Sequence, residues 1–186
     1  DRVYLKGKKD PLTVHATLPR PFNAATFKRG ESVQLKYYRA DRPEGGAAIG
    51  VKADDIFKVE LFEDLLAQEG DKAMARRDFA SAFDLFARLV TMNSLWPGAK
   101  EKLFNVFHQQ AEQALAQDPP DFETAIGLCV RLRAEDRKAP GVQSLLRKAC
   151  LGRAELALEA NDFAIARDHL ELFFQNYPTD AEARRF

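Results

Sequence analysis

The sequence predicts an α+β fold in which a small β module, residues 1–60, precedes a helical part, residues 61–186. Short stretches rich in β-branched and aromatic residues alternate with Gly, Pro and Asn in the first part. In the second part, apolar residues recur at helical spacing. An Asp-Phe pair also returns there at Phe79, Phe122 and Phe163, which lie 43 and 41 residues apart. We therefore expect about three copies of one helical unit.

Five short strands are predicted in the β module. Apolar and polar residues alternate in several of them, as in strands with one buried face, and Pro43, Gly45 and Gly46 disfavour a long helix. The opening residues 2–7 and the closing residues 54–59 resemble the first and last strands of small SH3-like or Sm-like barrels. We therefore expect a small barrel or a curled sheet that packs against the helices and depends on them for its stability. The predicted strands are residues 3–5, 12–16, 33–38, 47–51 and 56–59.

The helical unit has a fixed pattern after each Phe. A small residue stands at the third following position, and apolar residues stand at the seventh and tenth, which places them on one face of a helix. We expect the Phe and the small residue to pack in the core between paired helices, and the small residue to keep the distance between the two helices short. These positions are Ala82, Ala125 and Ala166, then Phe86, Cys129 and Leu170, then Leu89, Leu132 and Phe173. The predicted units are about 61–98, 99–139 and 140–178, and a further helix is expected to start within 179–186.

The third copy resembles the tetratricopeptide repeat most closely. Asn161-Asp162-Phe163 matches the turn between the two helices of that repeat, Ala166 its small residue, and Tyr177-Pro178 its stop. The chain departs from the family in that its turns lack the usual Gly and its copies exceed the typical length of about 34 residues. The resemblance implies an all-α solenoid of about three helix pairs whose concave surface receives a peptide or a partner helix. The lining residues that it implies are Asp64, Ala67, Asp71, Met74, Leu151, Glu155 and Leu158.

The sequence offers no recognisable catalytic or cofactor chemistry. His15, His108 and His169 lack the short spacing of a helical metal site. Residues 44–47 lack the Lys and the following helix of a phosphate-binding loop. No apolar run approaches the roughly 18 residues that a membrane-spanning helix needs. We therefore expect no enzymatic activity, cofactor, metal site, small-molecule substrate or transmembrane segment.

Two interpretations of Cys129 and Cys150 remain open. The two residues fall on neighbouring predicted helices, where a disulfide would imply an oxidising compartment. Cysteine is also often a small buried apolar residue, and two buried free thiols are the favoured interpretation.

These observations favour a non-enzymatic scaffold that binds a protein partner through the concave surface of its repeats. One alternative is a structural subunit of a large complex, membrane-associated or not. Another is an exported bacterial envelope assembly protein, because residues 172–180 are similar to the ending common in periplasmic tetratricopeptide proteins. That similarity favours the periplasm or cell envelope over the cytoplasm. The start without Met and the predicted helix that stops at Phe186 lead us to expect a fragment, a processed form or the ordered part of something longer.

Charge is distributed unevenly, although the formal net charge of the chain is zero. Residues 1–60 carry 12 Lys and Arg against 8 Asp and Glu, whereas residues 61–186 carry 16 against 20. The basic and aromatic β module makes nucleic-acid binding a further, less favoured alternative, whose signature would be affinity that falls with rising salt.

Overall fold

The structure is a computed structural model that describes residues 1–15, 18, 23, 28, 30–39 and 42–178. It confirms the α+β class, with strands in the first part and helices in the second. The strands are β1 Arg2–Leu5, β2 Leu12–Thr13, β3 Ser32–Arg39, β4 Arg42–Lys52 and β5 Ile56–Glu60, with a 3-10 helix at Ala53–Asp55. The helices are α1 Phe62–Ala75, α2 Phe79–Met92, α3 Ala99–Leu115, α4 Phe122–Glu135, α5 Val142–Glu159 and α6 Phe163–Asn176.

The described strands form two open antiparallel sheets. One has the order β2-β1-β5, with Val3 opposite both Leu12 and Val59. The other is the β3-β4 hairpin, in which Leu35 pairs with Ile49. A single bridge between Val14 and Tyr37 joins the two sheets.

The predicted barrel is therefore wrong for the strands that the structure describes. A barrel needs an unbroken ladder of paired strands around its circumference. Here the 3-10 helix Ala53–Asp55 separates β4 from β5, and β2 is too short to extend the ladder to β3. The hairpin also differs from the prediction, because β4 begins at Arg42 and not at residue 47. Residue 16 of the predicted second strand lies outside the described residues.

The repeated Asp-Phe pair marks the start of the second helix in each pair. The carboxylates of Asp78, Asp121 and Asp162 accept hydrogen bonds from backbone N–H groups three residues later, at 3.2, 3.0 and 3.1 Å. Asp is a preferred N-cap because its oxygen satisfies one of the free N–H groups of the first turn. The preceding residues Arg77 and Asn161 have φ of 57° and 60°, the left-handed conformation that Gly adopts most easily. The first and third turns therefore keep this geometry without Gly.

Small residues allow close helix packing, as expected. Ala82, Ala125 and Ala166 are buried. Glycines on the first helices of two pairs lie against aromatic rings: a Cβ on Gly70 would clash with Phe86. Along the helical part each helix packs against the next, and α3 also contacts α5.

The three repeated Phe residues do not share one environment. Phe79 is buried and lies near Gln113 of α3, and Phe122 is half-buried against Gly152 of α5. Phe163 is instead 66% exposed, so it does not take the core position expected of it. Phe79 and Phe122 each lie near a helix of the next pair, α3 and α5, and the described residues contain no helix after α6. The further helix predicted within 179–186 lies outside those residues.

Cys129 and Cys150 are free, buried thiols in the largest core cluster of the helical part, which agrees with the favoured interpretation. Burial raises the pKa of Cys129 to about 11. Burial, with a smaller effect of the neighbouring Cys129, raises the pKa of Cys150 to about 12. Both side chains are therefore neutral at physiological pH.

The β module and the helices meet through a short connection. Strand β5 ends at Glu60 and α1 begins at Phe62. The N–H of Phe62 donates a hydrogen bond of 2.8 Å to the carboxylate of Asp1, which is buried. This contact satisfies an N–H group of the first helical turn and fastens the start of α1 to the β module. Among the described helices, none combines the length and the apolar character needed to cross a bilayer.

Candidate interaction cleft

An open cleft of about 400 Å³ lies where β5, α1 and the start of α3 meet. It contains three residues that the resemblance implied as partner-binding, namely Asp64, Ala67 and Asp71. We call this site the interaction cleft. Its lining residues are Lys58, Val59, Glu60, Asp64, Ala67, Gln68, Asp71, Trp96 and Lys102.

Trp96 is the only tryptophan of the chain and forms part of one wall. Its indole N–H donates a hydrogen bond of 3.2 Å to Asp64, which fixes the ring beside α1. Its backbone N–H donates to the carbonyl of Asn93, and its carbonyl accepts from Ala99, both within the α2–α3 connection. The ring is half-buried, so one part packs on the core of the first helix pair and another part remains accessible.

An ion pair joins the two helices that border the cleft. The ammonium of Lys102 on α3 lies 2.6 and 2.8 Å from the carboxylate oxygens of Asp71 on α1. The same ammonium lies 5.6 Å from the centroid of the Phe86 ring, within cation–π range. Because Asp71 is exposed and Lys102 is partly exposed, we expect this pair to orient the side chains and to contribute little to stability.

Glu60 organises the β5 side of the cleft. Its carboxylate accepts hydrogen bonds from Lys58 at 2.6 Å and from the Tyr4 hydroxyl at 2.9 Å, and it lies 3.9 Å from Arg2. The hydrogen bond from Lys58, followed by that from Tyr4, lowers the pKa of Glu60. The same contacts raise the pKa of Lys58 and of Tyr4. Deprotonation of either group removes its hydrogen bond to the carboxylate, and a deprotonated Tyr4 would also be repelled by the negative charge of Glu60. Glu60 is therefore ionised at neutral pH.

The remaining residues implied as partner-binding do not reach this cleft. Met74 is half-buried and packs on the core of the first helix pair. On α5, Leu151 is half-buried against the neighbouring cluster, whereas Glu155 and Leu158 are exposed. Of the predicted partner-binding residues, only three from the first repeat therefore lie together in the cleft. Ala67 is itself buried and forms the floor of the cleft.

Sequence reasoning missed Trp96, Lys102 and the β5 residues as members of this site. Trp96 lies in the connection between α2 and α3, directly before Pro97 and Gly98. A single tryptophan in a connection between helices could have drawn attention, because tryptophan is enriched where proteins bind one another. The β5 residues carry no such signal, since their approach to α1 depends on the tertiary fold.

A second cavity of about 490 Å³ lies among α3, the end of α4 and the start of α5. Its walls are mainly apolar, and His108 lies at its edge with Nδ1 3.7 Å from Glu112. None of the residues implied as partner-binding lines it. The lining residues are Glu101, Phe104, Asn105, His108, Leu132, Asp136, Ala139, Pro140, Gly141 and Val142.

The three histidines lie apart in the fold. His15 follows β2, His108 lies on α3, and His169 lies on α6 with Nε2 3.3 Å from Glu123. Within the part of the chain that the structure describes, no group of three or more His, Cys, Asp or Glu side chains could hold a metal ion.

No protein-family model matches the chain, and no curated protein matches its sequence.

Proposed function

We propose that this protein is a non-enzymatic protein–protein interaction scaffold that receives a segment of its partner in the interaction cleft. The observation that carries the proposal is the position of an accessible tryptophan in the wall of a cleft lined by charged side chains, at the meeting point of the β module and the helices. Tryptophan supplies much of the binding energy in many protein interfaces. The surrounding charged pairs form the polar rim that such interfaces have.

The helical part is proposed to be a tetratricopeptide-like solenoid. Three features support this: Asp-capped second helices, buried Ala at the repeated positions, and Gly70 and Gly152 pressed against aromatic rings of the helix that each faces. Stacked helix pairs of this kind present an extended surface to a partner. The cleft lies at the first pair, where the β module adds a second wall.

Site-specific photo-crosslinking tests the proposal in the native cells of this protein. A benzoylphenylalanine is placed at Gln68, an exposed residue of the cleft, or at Gln175, an exposed control residue on α6. The full-length protein is irradiated, purified and analysed by mass spectrometry. We expect one dominant partner protein at position 68 that is absent or much weaker at position 175. Equal yields at the two positions, or no adduct at position 68, would contradict the proposed site.

A structural subunit of a larger complex is the second candidate. Among the described residues, the three most exposed large apolar side chains lie on separate elements: Phe57 on β5 is 58% exposed, Leu95 before α3 is 90% exposed, and Phe163 on α6 is 66% exposed. Contacts with several neighbours would cover all three. Crosslinkers at these positions would then capture different subunits of one stoichiometric complex, whereas the scaffold proposal expects a single partner centred on Gln68.

A further inference from the structure

Strand β5 is an edge strand among the described residues. It lies at the end of the sheet order β2-β1-β5 and pairs with β1 on one side. No described strand pairs with its other side. The backbone N–H and C=O groups along such an edge can form a new ladder with an incoming chain.

The interaction cleft meets this strand along its edge. Successive side chains of a strand point to opposite faces, so a groove over one face contacts alternate residues. The cleft is instead lined by the three consecutive residues Lys58, Val59 and Glu60. The opposite wall contains Gln68 of α1 and Trp96. The space between β5 and α1 is therefore open to a chain running beside the strand.

We propose that the partner segment binds in an extended conformation and adds a strand to the free edge of β5. This inference rests on the proposed function of the cleft and specifies the conformation of the ligand. Backbone hydrogen bonds to the edge would provide affinity, and pockets for alternate side chains would provide specificity. A partner helix, whose backbone groups are bonded internally, could not use this edge.

The charges of the cleft indicate the composition of the segment. Among the carboxylates that line the cleft, Glu60 lies 2.6 Å from Lys58 and 3.9 Å from Arg2, and Asp71 lies 2.6 Å from Lys102. The carboxylate of Asp64 accepts a hydrogen bond from Trp96 and lies in no ion pair with the described residues. An incoming Lys or Arg would pair with Asp64. A neighbouring apolar side chain would pack on Trp96. The ligand is thus an extended segment with a basic and an apolar residue.

The first step of the test selects peptides with the full chain. An mRNA-display library of random linear 12-residue peptides is panned against the parent protein and counter-selected against the double variant Gln68→Lys, Trp96→Ala. We expect recovered peptides to share a basic and an apolar position. A parallel selection against Gln175→Lys serves as the matched control, because this change on α6 leaves the cleft intact.

The second step determines the bound conformation. Each backbone nitrogen of the tightest peptide is methylated in turn, which removes one donor at a time. A strand on β5 predicts losses of about tenfold at alternate positions, the effect of one lost hydrogen bond, and small losses between them. Hydrogen exchange of the β5 amides should slow when the peptide binds.

The outcomes separate the two claims. Cleft-dependent peptides whose methylation pattern has a helical period, or no period, would overturn the extended conformation and leave the proposed function standing. Failure to recover any peptide that distinguishes the parent from the cleft variant would contradict the proposed function and this inference together.

Discussion

The contact between α1 and α2 makes Gly70 intolerant of even one added methyl group. A Cβ at this position would clash with Phe86 Cε1 and lie 2.6 Å from Cζ and 2.9 Å from Cδ1. Phe86 is fully buried, so its ring has little room to move away. Gly70→Ala should therefore destabilise the protein although Ala is the better helix former.

The magnitude follows from two opposing effects. Overpacking a filled core costs about 1–3 kcal/mol, whereas replacing Gly by Ala inside a helix gains about 0.5–1 kcal/mol. The two ranges leave a net loss of up to about 2.5 kcal/mol, and because three ring atoms would lie no further than 2.9 Å from the Cβ, we expect a loss of about 1–2 kcal/mol in the free energy of unfolding. For a chain of this length, the midpoint of thermal unfolding should fall by about 2–8 °C.

Gly127 provides the matched control. It lies inside α4, and a Cβ there would have no neighbour within 4 Å. Gly127→Ala should therefore raise the midpoint by about 1–4 °C through helix propensity alone. Circular dichroism melts of both variants measure the two effects. In a Phe86→Leu background, Gly70→Ala should cost less because the smaller side chain leaves room. A Gly70→Ala variant as stable as the parent would refute the proposed contact.

Three further predictions concern single groups. Asp78→Ala should lower the free energy of unfolding by about 0.5–2 kcal/mol, because it removes the N-cap of α2, while exposed Asp84→Ala should change it little in the same denaturant titration. The pKa of Glu60 is lowered in the folded protein. The ionised carboxylate therefore stabilises the fold fully above the usual carboxyl pKa, and this stabilisation is lost as the pH falls from there through the lowered pKa. Glu60→Gln should therefore flatten the acid limb of stability, and an unchanged limb would contradict this assignment. Because Cys129 and Cys150 are buried with raised pKa values, both should resist alkylation in the native protein and react in denaturant; rapid native labelling would exclude the described packing.

The helices were predictable because their signals are local. The Asp of each Asp-Phe pair caps a helix within three residues of itself, and Ala82 and its equivalents mark the close helix face. The open form of the two sheets was not predictable, since strand closure depends on how β4 and β5 are joined. The 3-10 helix Ala53–Asp55 that separates them has no distinct sequence signal.

The site was predictable only in part for the same reason. Asp64 and Asp71 follow from the helical register of α1, and both line the interaction cleft. Trp96 and Lys58 come from a connection and an edge strand, and only the tertiary fold brings them to α1. The exposure of Phe163 was not predictable from its own repeat either, because the corresponding Phe79 and Phe122 lie near helices of the next pair.

The fluorescence of Trp96 gives the most direct test of the interaction cleft, because it is the only tryptophan of the chain and part of the cleft wall. The partner captured at position 68, in a form without tryptophan, is titrated into the full-length protein while the emission is recorded. The predicted result is a saturable change in emission that matches the binding isotherm measured by calorimetry. The Asp71→Lys variant, whose cleft is disrupted, should bind the partner with lower affinity in both measurements. Binding by calorimetry with unchanged Trp96 emission and unchanged affinity of the Asp71→Lys variant would place the partner elsewhere on the protein.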